Sequence, residues 1–270
     1  MLPITLVALS FLNAEMDVVF ANPDGFDLKM DIYKPAVVKP NTPAVVVLHG
    51  GAWVMGKRQD MALMARTLAD EGYIAATVSY RLAPIFKWPS MIDDAQCAVR
   101  YLRANSKRLD IDPNRIGAVG ASAGAHLALL LGTRDTRDTK TTSYPAYSSR
   151  VKAVVNLFGP TDVTVDFSKQ FDAMAPMLFG KERGKLNGEL VDFSPINHLS
   201  SDDAPIFIFH GKADTLVPVK QSERLEARCK ELGIPVEAVY LDGVGHEVPT
   251  GNPDVQDALR RGLAFLKRHL

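Results

Sequence analysis

The sequence predicts a three-layer α/β domain with a mostly parallel central sheet and an antiparallel hairpin at its N-terminal end. Six apolar runs rich in β-branched residues are continuous rather than alternating, as in strands that are buried on both faces. Segments with helical periodicity separate most of these runs, and this alternation is typical of a parallel sheet covered by helices. With 270 residues, 47% of them hydrophobic, the chain is long enough for one sizeable core.

The predicted elements follow one another along the chain. A turn cluster at Asn22 to Gly25 separates the alternating stretches 17–21 and 26–35, which predicts the hairpin. The buried strands are predicted at 44–48, 73–80, 115–120, 151–158, 205–210 and 236–241. Helices are predicted at 58–71, 90–108, 123–132, 219–232 and 254–269, and the last of these follows the cap signal Asn252-Pro253.

Two segments interrupt this alternation. Residues 133–150 are polar and are expected to form a surface excursion. Residues 160–200 carry large apolar side chains among prolines and glycines, and they are either an insertion over a functional site or additional core packing. These apolar side chains are Phe167, Phe171, Met174, Met177, Leu178 and Phe179.

The first 15 residues are expected to be a leader or extension, with a single domain over residues 16–270. The run from Ile4 to Leu12 is apolar and is followed by the small Ala14, as in a signal peptide, but the first basic residue is Lys29. The run is too short to span a bilayer. A cytoplasmic location is slightly favoured, and a secreted or periplasmic location stays an alternative.

Composition argues against several classes of protein. Lys+Arg and Asp+Glu both number 31, so no global field favours binding to nucleic acid or to an acidic membrane surface. Cys97 and Cys229 lack CxxC spacing and are expected to be buried small residues. The six histidines lack the spacing of a zinc site, and neither a metal nor another cofactor is expected.

The most specific motif is the stretch Gly120 to Gly124, which lies between a predicted strand and a predicted helix. Its pattern G-x-S-x-G, in that context, is typical of a nucleophile elbow. The small residues on both sides of Ser122 fit a sharp turn that presses the backbone against its neighbours. Because a serine hydroxyl is a poor nucleophile at neutral pH, Ser122 predicts a base and an acid farther along the chain.

Both partners follow core strands. Asp214 comes after the strand at 205–210, and His246 comes after the strand at 236–241. The carboxyl ends of strands in an open α/β sheet meet at one edge, so Ser122, Asp214 and His246 are expected to gather there. The weaker candidates are His126, His198, His210 and His269 for the base and Asp203 and Asp242 for the acid.

The stretch HGGAW, directly after the run 44–48, supplies candidates for an oxyanion hole. A carbonyl attacked by Ser122 becomes anionic at its oxygen and needs backbone N–H donors that are already in place. Ala123 is one expected donor because it follows the nucleophile. Gly50 and Gly51 are the others, because a chain without Cβ atoms can turn its N–H groups inward.

Several neighbouring residues have other predicted roles. Trp53 is either a wall of the substrate pocket or a packing anchor for its loop. Phe158 is a second candidate for the pocket. His126 lies four residues after Ser122 on the same predicted helix, so it is expected to support the core or the site rather than to act as the base. His210 is expected to make a structural hydrogen bond at a strand end.

With these residues in place, the sequence resembles the α/β-hydrolase superfamily, specifically the carboxylesterases related to hormone-sensitive lipase and to acetylxylan and feruloyl esterases. The similarity extends from about residue 30 onward and includes HGGAWVMG, SYRLAP, WPSMIDDAQCAVRYLRAN, DPNRIGAVGASAGAHLALLLG, VVNLFGPTD, SPINHLS, HGKADTLVPVKQSERL and GVGHE. The resemblance implies an α/β-hydrolase fold with Ser122 as nucleophile, His246 as base and Asp214 as the residue that orients the base. It also implies three oxyanion donors, which are Gly50, Gly51 and Ala123.

The resemblance leaves the substrate open. Ala52 stands where many relatives of hormone-sensitive lipase carry a third glycine, and HGGAW also fits the HGGxW pattern of kynurenine formamidases. SPINH and VPVKQS are more similar to xylan-decorating esterases. A serine carboxylesterase for short acyl esters is implied, acting on small-molecule or carbohydrate-linked esters such as acetyl or feruloyl groups on plant polysaccharide. A formamidase-type amidase is the alternative, and a non-enzymatic ligand-binding relative is disfavoured because all three triad residues are present.

Overall fold

An eight-stranded sheet forms the centre of the molecule, and this computed structural model describes residues 13–136, 143–165 and 169–270. The strands are β1 (Ala14–Ala21), β2 (Leu28–Tyr33), β3 (Thr42–Leu48), β4 (Ile74–Val78), β5 (Ile111–Ala121), β6 (Val154–Leu157), β7 (Ile206–Gly211) and β8 (Val236–Leu241). Their order across the sheet is β1-β2-β4-β3-β5-β6-β7-β8. β2 is antiparallel to β1 and β4, and the other neighbouring pairs are parallel. The predicted hairpin and mostly parallel sheet are confirmed.

Helices pack on both faces of this sheet. They are α1 (Ala62–Asp70), α2 (Ser90–Ala104), α3 (Ser106–Leu109), α4 (Ala123–Thr133), α5 (Lys169–Phe179), α6 (Gly188–Phe193), α7 (Lys220–Leu232) and α8 (Pro253–His269). The five predicted helices are present, but the one predicted at 90–108 ends at Ala104. The helix is interrupted at Asn105, whose side chain donates a hydrogen bond to the carbonyl of Tyr101 at 2.9 Å.

The sheet separates two apolar layers, and alternate residues of each central strand point into one or the other. In β3, Val46 and Leu48 belong to the larger layer, which α2 and α4 cover. Val45 and Val47 belong to the second layer, which α1 and α8 cover. Burying each such side chain stabilises the fold by about 1.5–3 kcal/mol. Continuous apolar strands are required because both faces of the sheet are covered.

The segment 160–200 contains α5 and α6, which sequence analysis did not predict. Phe171, Leu178 and Phe193 are buried in the larger apolar layer, so this segment packs on the core, as one of the two alternatives predicted. Its second predicted role, as an insertion over the functional site, stays a prediction. Phe167 lies outside the described residues.

The two uncertain segments of the sequence are described only in part. Residues 1–12 of the predicted leader lie outside the described residues, whereas Ala14 pairs with Tyr33, so the sheet begins two residues before the predicted domain boundary. Residues 137–142 of the polar excursion also lie outside them. In the described ranges, no helix combines the length and apolar character needed to cross a membrane.

Candidate active site

Ser122 forms the turn between β5 and α4. Its backbone has a φ of 54° and a ψ of −121°, a strained conformation for a residue with a side chain. The amide of Ser122 donates to the carbonyl of Leu157 at 2.9 Å, which attaches the turn to the end of β6. A Cβ atom on Gly124 would overlap the carbonyl oxygen of Leu48. The glycine at position 124, two residues after Ser122, is therefore needed for α4 to approach β3.

The three residues predicted to act together form one line of hydrogen bonds. Ser122 Oγ lies 2.8 Å from His246 Nε2, and His246 Nδ1 lies 2.6 Å from Asp214 Oδ2. Because a carboxylate only accepts hydrogen bonds, the imidazole proton lies on Nδ1, and Nε2 is left to accept from the serine hydroxyl. The Asp214 carboxylate is fully buried, whereas the His246 side chain is 17% exposed. The imidazole of His246 is thus accessible from solvent, and the carboxylate of Asp214 is not.

Asp214 is held by further hydrogen bonds. Its Oδ1 accepts from the amides of Leu216 at 2.9 Å and Val217 at 2.8 Å, and His210 Nε2 lies 3.2 Å from Oδ2. Burial by itself would raise the pKa of Asp214. Hydrogen bonds from His210, His246 and the Val217 amide outweigh it, and the pKa lies well below its ordinary value. Asp214 is therefore ionised at neutral pH.

The loop 49–56, after β3, lies against this turn in a strained conformation. Its φ values are positive at Gly51 (112°), Ala52 (53°) and Trp53 (61°). A Cβ atom on Gly50 would lie 3.4 Å from Ser122 Cβ, so the loop packs directly on the elbow. Within the part of the chain that is described, the amides of Gly50, Gly51 and Ala123 donate no hydrogen bond. These N–H groups are left for another acceptor.

Two buried aromatic residues hold the start of this loop. The Tyr80 hydroxyl donates to the carbonyl of His49 at 2.8 Å, and the two rings stack with centroids 4.2 Å apart. His49 Nδ1 lies 2.7 Å from the carbonyl oxygen of Gly50 and donates to it. Burial lowers the pKa of His49, so the ring is neutral at neutral pH. These contacts fix the backbone that leads to Gly51.

Trp53 anchors the middle of the same loop. The side chain is 2% exposed, and its Nε1–H donates to His126 Nδ1 at 3.3 Å. His126 Nε2–H donates in turn to the carbonyl of Phe193 at 2.6 Å, and the rings of Trp53 and Phe193 lie 4.9 Å apart. Trp53 therefore packs as the anchor that was one of its two predicted roles. Its role as a pocket wall stays a prediction.

Phe158, the other candidate for the pocket, lies beside His246. Its ring makes an edge-to-face contact with the imidazole of His246, with centroids 4.8 Å apart. The residue follows β6 with a φ of 46°, and its amide donates to the carbonyl of Phe209 at 2.8 Å. Phe158 thus packs against the His246 ring from the β6 side. Whether it also contacts substrate stays a prediction.

The weaker candidates make other contacts. His198 Nε2 lies 2.8 Å from the carbonyl oxygen of Asp192, and His269 packs on Phe265 at the end of α8. Asp203 pairs with Arg150, and Asp242 pairs with Lys212. In the described ranges, no group of three or more His, Cys, Asp or Glu side chains could hold a metal ion.

No role for His49 or Tyr80 was predicted from the sequence. The only available signal was position, because His49 opens HGGAW and Tyr80 ends the run at 73–80. Both follow central strands at the edge of the sheet where Ser122 lies. A polar or aromatic residue at such a strand end is therefore a candidate for supporting the loops of the site.

The fold defines a class of protein, the α/β-hydrolases. Within that class the chain belongs to the BD-FAE family, whose model matches residues 30–229. The chain is 33% identical over 190 residues to the probable carboxylic ester hydrolase LipM of Mycobacterium tuberculosis, which covers 67% of this chain and 43% of LipM. This chain spans about half the length of the curated relatives it matches.

Solved structures show the same similarity over nearly the whole chain. The thermophilic esterase Est2 of Thermogutta terrifontis, with propionate bound, matches with a TM-score of 0.82 and 27% identity, covering 95% of this chain and 94% of that one. A truncated carbohydrate esterase from gut microbiota matches with a TM-score of 0.83 and 26% identity, covering 95% and 96%.

Proposed function

We propose that this protein is a cofactor-free serine carboxylesterase that hydrolyses short-chain acyl esters through an acyl-enzyme. The observation that carries the proposal is the line of hydrogen bonds from Ser122 Oγ through His246 to the buried carboxylate of Asp214. Ser122 lies on a strained turn of the kind that exposes a nucleophile at the edge of a parallel sheet. A nucleophile, a base and a group that orients the base are the three parts that acyl transfer requires.

Each group has a defined step in the proposed reaction. Ser122 Oγ attacks the ester carbonyl carbon while its proton passes to His246 Nε2, and Asp214 stabilises the imidazolium. The tetrahedral intermediate collapses when the same Nε2–H protonates the departing alkoxide, so that alcohol leaves and the acyl group stays on Ser122. Water then loses a proton to His246 as it attacks the acyl-enzyme, and His246 returns that proton to Ser122 Oγ as the carboxylic acid is released. The free amides of Gly50, Gly51 and Ala123 would donate hydrogen bonds to the oxyanion during both acylation and deacylation.

The proposed substrates are small-molecule or carbohydrate-linked esters, such as acetyl or feruloyl groups on plant polysaccharide. The similarity to a carbohydrate esterase supports the carbohydrate part of this proposal. Short acyl groups are supported by the structures of Est2 with propionate and with butyrate bound. The alternative, a formamidase-type amidase, is supported only by the HGGAW pattern.

A panel of substrates tests the proposed reaction. We expect p-nitrophenyl acetate and butyrate to be cleaved faster than the octanoate, with methyl ferulate, acetylated xylan and N-formylkynurenine as comparison substrates. Faster turnover of the formamide than of every ester would favour the amidase, and no turnover of any ester would contradict the proposal.

The nucleophile is tested by substitution. Ser122→Ala should lower kcat for p-nitrophenyl butyrate on the order of 10⁶-fold, because no other group can form the acyl-enzyme. Ser201→Ala, at an exposed serine away from the elbow, is the matched control and should keep wild-type kinetics. Est2 has been observed phosphorylated by paraoxon, so paraoxon should add its phosphoryl group to the peptide that contains Ser122. Labelling of a different residue would contradict the assignment.

A further inference from the structure

We propose that His210 is a positioning residue for Asp214: its Nε2–H supplies the second side-chain hydrogen bond to the carboxylate and so fixes the direction in which Asp214 faces His246. The proposal rests on the proposed function, because Asp214 matters here as the partner of the base. It goes beyond that function by adding a buried histidine and a buried serine to the groups that determine its rate.

His210 lies at the end of β7, and no part of its side chain is exposed. Its Nε2 is 2.8 Å from the carbonyl oxygen of Val217 and 3.2 Å from Asp214 Oδ2. Its Nδ1 is 2.7 Å from the hydroxyl of Ser222, which is also fully buried. Both ring nitrogens therefore have partners, and one of them faces the carboxylate.

The partners determine which nitrogen carries the proton. The carbonyl of Val217 and the carboxylate of Asp214 are both acceptors, so Nε2 must be protonated and its N–H is shared between them. A neutral ring then has a lone pair on Nδ1, which accepts from the hydroxyl of Ser222. The structure thus specifies the Nε2–H tautomer of His210, with Ser222 as the group that favours it.

With this donor in place, each oxygen of the Asp214 carboxylate has two nitrogen neighbours. Oδ1 accepts from the amides of Leu216 and Val217, whereas Oδ2 lies 2.6 Å from His246 Nδ1 and 3.2 Å from His210 Nε2. The two amides come from the same loop as the aspartate and fix only Oδ1. His210, on β7, is the second side chain that lies within 3.2 Å of Oδ2, besides His246. Without His210, the carboxylate of Asp214 could rotate about its Cβ–Cγ bond.

The charge on Oδ2 is also divided between the two histidines. The titratable groups in contact with Asp214 are His210 on β7 and His246 on the loop after β8. Of the charged residues near them in sequence, Glu247 is exposed, and Lys212 forms an exposed ion pair with Asp242. If His210 donates no hydrogen bond, more of the negative charge on Oδ2 acts on His246 alone. A protonated imidazole would then be stabilised, and the base would become available only at a higher pH.

Two substitutions separate positioning from packing. His210→Phe keeps a ring of similar size but removes the N–H, and it should lower kcat for p-nitrophenyl butyrate by about 10- to 100-fold with little change in KM. The acidic limb of its kcat/KM profile should move to higher pH. His210→Gln can place an amide N–H near the position of Nε2, and it should restore most of kcat and return the limb toward the wild-type position.

An unchanged acidic limb in folded His210→Phe would overturn the proposal, because a purely structural role would lower the amount of folded enzyme without moving the pH profile. Folding is checked by far-UV circular dichroism. If His210→Phe does not fold, Ser222→Ala and wild-type enzyme provide the test. Ser222→Ala should shift the limb in the same direction by a smaller amount, and ¹⁵N NMR of wild-type histidines should show His210 protonated at Nε2. Protonation at Nδ1 instead would overturn the proposal.

These outcomes are distinguishable from failure of the proposed function. Paraoxon labelling of Ser122 reports the nucleophile itself and should persist in His210→Phe at a lower rate. If wild-type enzyme cleaves esters and is labelled at Ser122, but His210→Phe matches it in kcat and pH profile, only the positioning role is wrong. If wild-type enzyme is neither active nor labelled, the esterase proposal is wrong, whereas the tautomer of His210 still tests the hydrogen-bond geometry.

Discussion

Burial distinguishes the histidines around Ser122 from one another. His126 and His210 are completely buried, and each has protein partners on both ring nitrogens. His246 is partly exposed, and its Nε2 lies 2.8 Å from the hydroxyl of Ser122. A general base must exchange its proton with substrate and water, so only the exposed histidine is suited to that role. The other two make hydrogen bonds within the protein interior.

The buried His126 should make the stability of the protein depend on pH. Burial lowers the pKa of His126 to about 3, whereas a histidine in an unfolded chain titrates near pH ~6.5. Below that pH the unfolded chain binds a proton that the folded chain does not bind. The free energy of unfolding should therefore fall as pH is lowered from about 6.5, by up to about 1.4 kcal/mol per pH unit, and should not depend on this group at higher pH.

Urea unfolding at several pH values between about 4.5 and 7.5 would measure this slope. His126→Gln retains a donor for the carbonyl of Phe193 but cannot titrate, so its free energy of unfolding should depend less steeply on pH. Burial also lowers the pKa of His49, and that part of the slope should remain in the variant. An identical slope in wild type and His126→Gln would contradict the assignment.

At the scale of elements, the site is assembled by loops that follow parallel strands. Ser122 follows β5, Asp214 follows β7 and His246 follows β8, and the parallel pairing of these strands brings their carboxyl ends to one edge. The glycine-containing loop follows β3, which lies next to β5. Residues up to 124 positions apart are therefore within hydrogen-bonding distance of each other. The sheet order determines this proximity.

This order explains which parts of the molecule the sequence could predict. Ser122, Asp214 and His246 could be located because each directly follows an apolar run, and the runs themselves indicate parallel strands. The packing of Trp53 could be predicted only as one of two alternatives, because it depends on Phe193, a residue of the unpredicted helix α6. The short α6 and the proline-containing α5 have weak local signals, and contacts with the core stabilise them.

The loop after β3 has a conformation that favours glycine at position 51. Gly51 has a φ of 112°, and a Cβ atom there would overlap the carbonyl of Met55. Gly51→Ala should displace the Gly51 amide from the position proposed for the oxyanion and lower kcat by about 10² to 10³. Gly72→Ala is the matched control, since Gly72 also has a positive φ, of 96°, but nothing lies within 4 Å of the added atom.

Steady-state kinetics with p-nitrophenyl butyrate and thermal unfolding of both variants would separate strain from catalysis. Each substitution places alanine at a positive φ and should lower stability by about 1 kcal/mol or more. Only Gly51→Ala should lose kcat. Comparable losses of kcat in the two variants would mean that general destabilisation, and not the position of the Gly51 amide, is responsible.

At the scale of the whole molecule, we propose that residues 16–270 fold as one domain. The sheet separates two apolar layers, and both layers include residues from the first and second halves of the chain. The described residues of the segment 160–200 share the main core, because Phe171 and Phe193 are buried with Trp53 in the larger layer. A segment that is packed in this way should unfold together with the sheet.

The two tryptophans make this cooperativity measurable. Trp53 and Trp88 both pack edge-to-face on Phe193, with ring centroids 4.9 and 4.7 Å away, and they are the only tryptophans in the sequence. Tryptophan fluorescence therefore reports the packing of α6 on the core, whereas far-UV circular dichroism reports the helices and the sheet as a whole. The two signals should change at the same urea concentration if there is one domain.

Phe193→Leu sharpens the same experiment, because it weakens the contacts of α6 with both tryptophans while keeping an apolar side chain at the position. In one cooperative domain, the fluorescence and circular dichroism midpoints should both move to lower urea by the same amount. If α6 were an independent insertion, fluorescence would change first and the sheet would unfold at its original midpoint. Separation of the two midpoints, already in wild type or only in the variant, would contradict a single domain and would favour the interpretation of 160–200 as an insertion over the site.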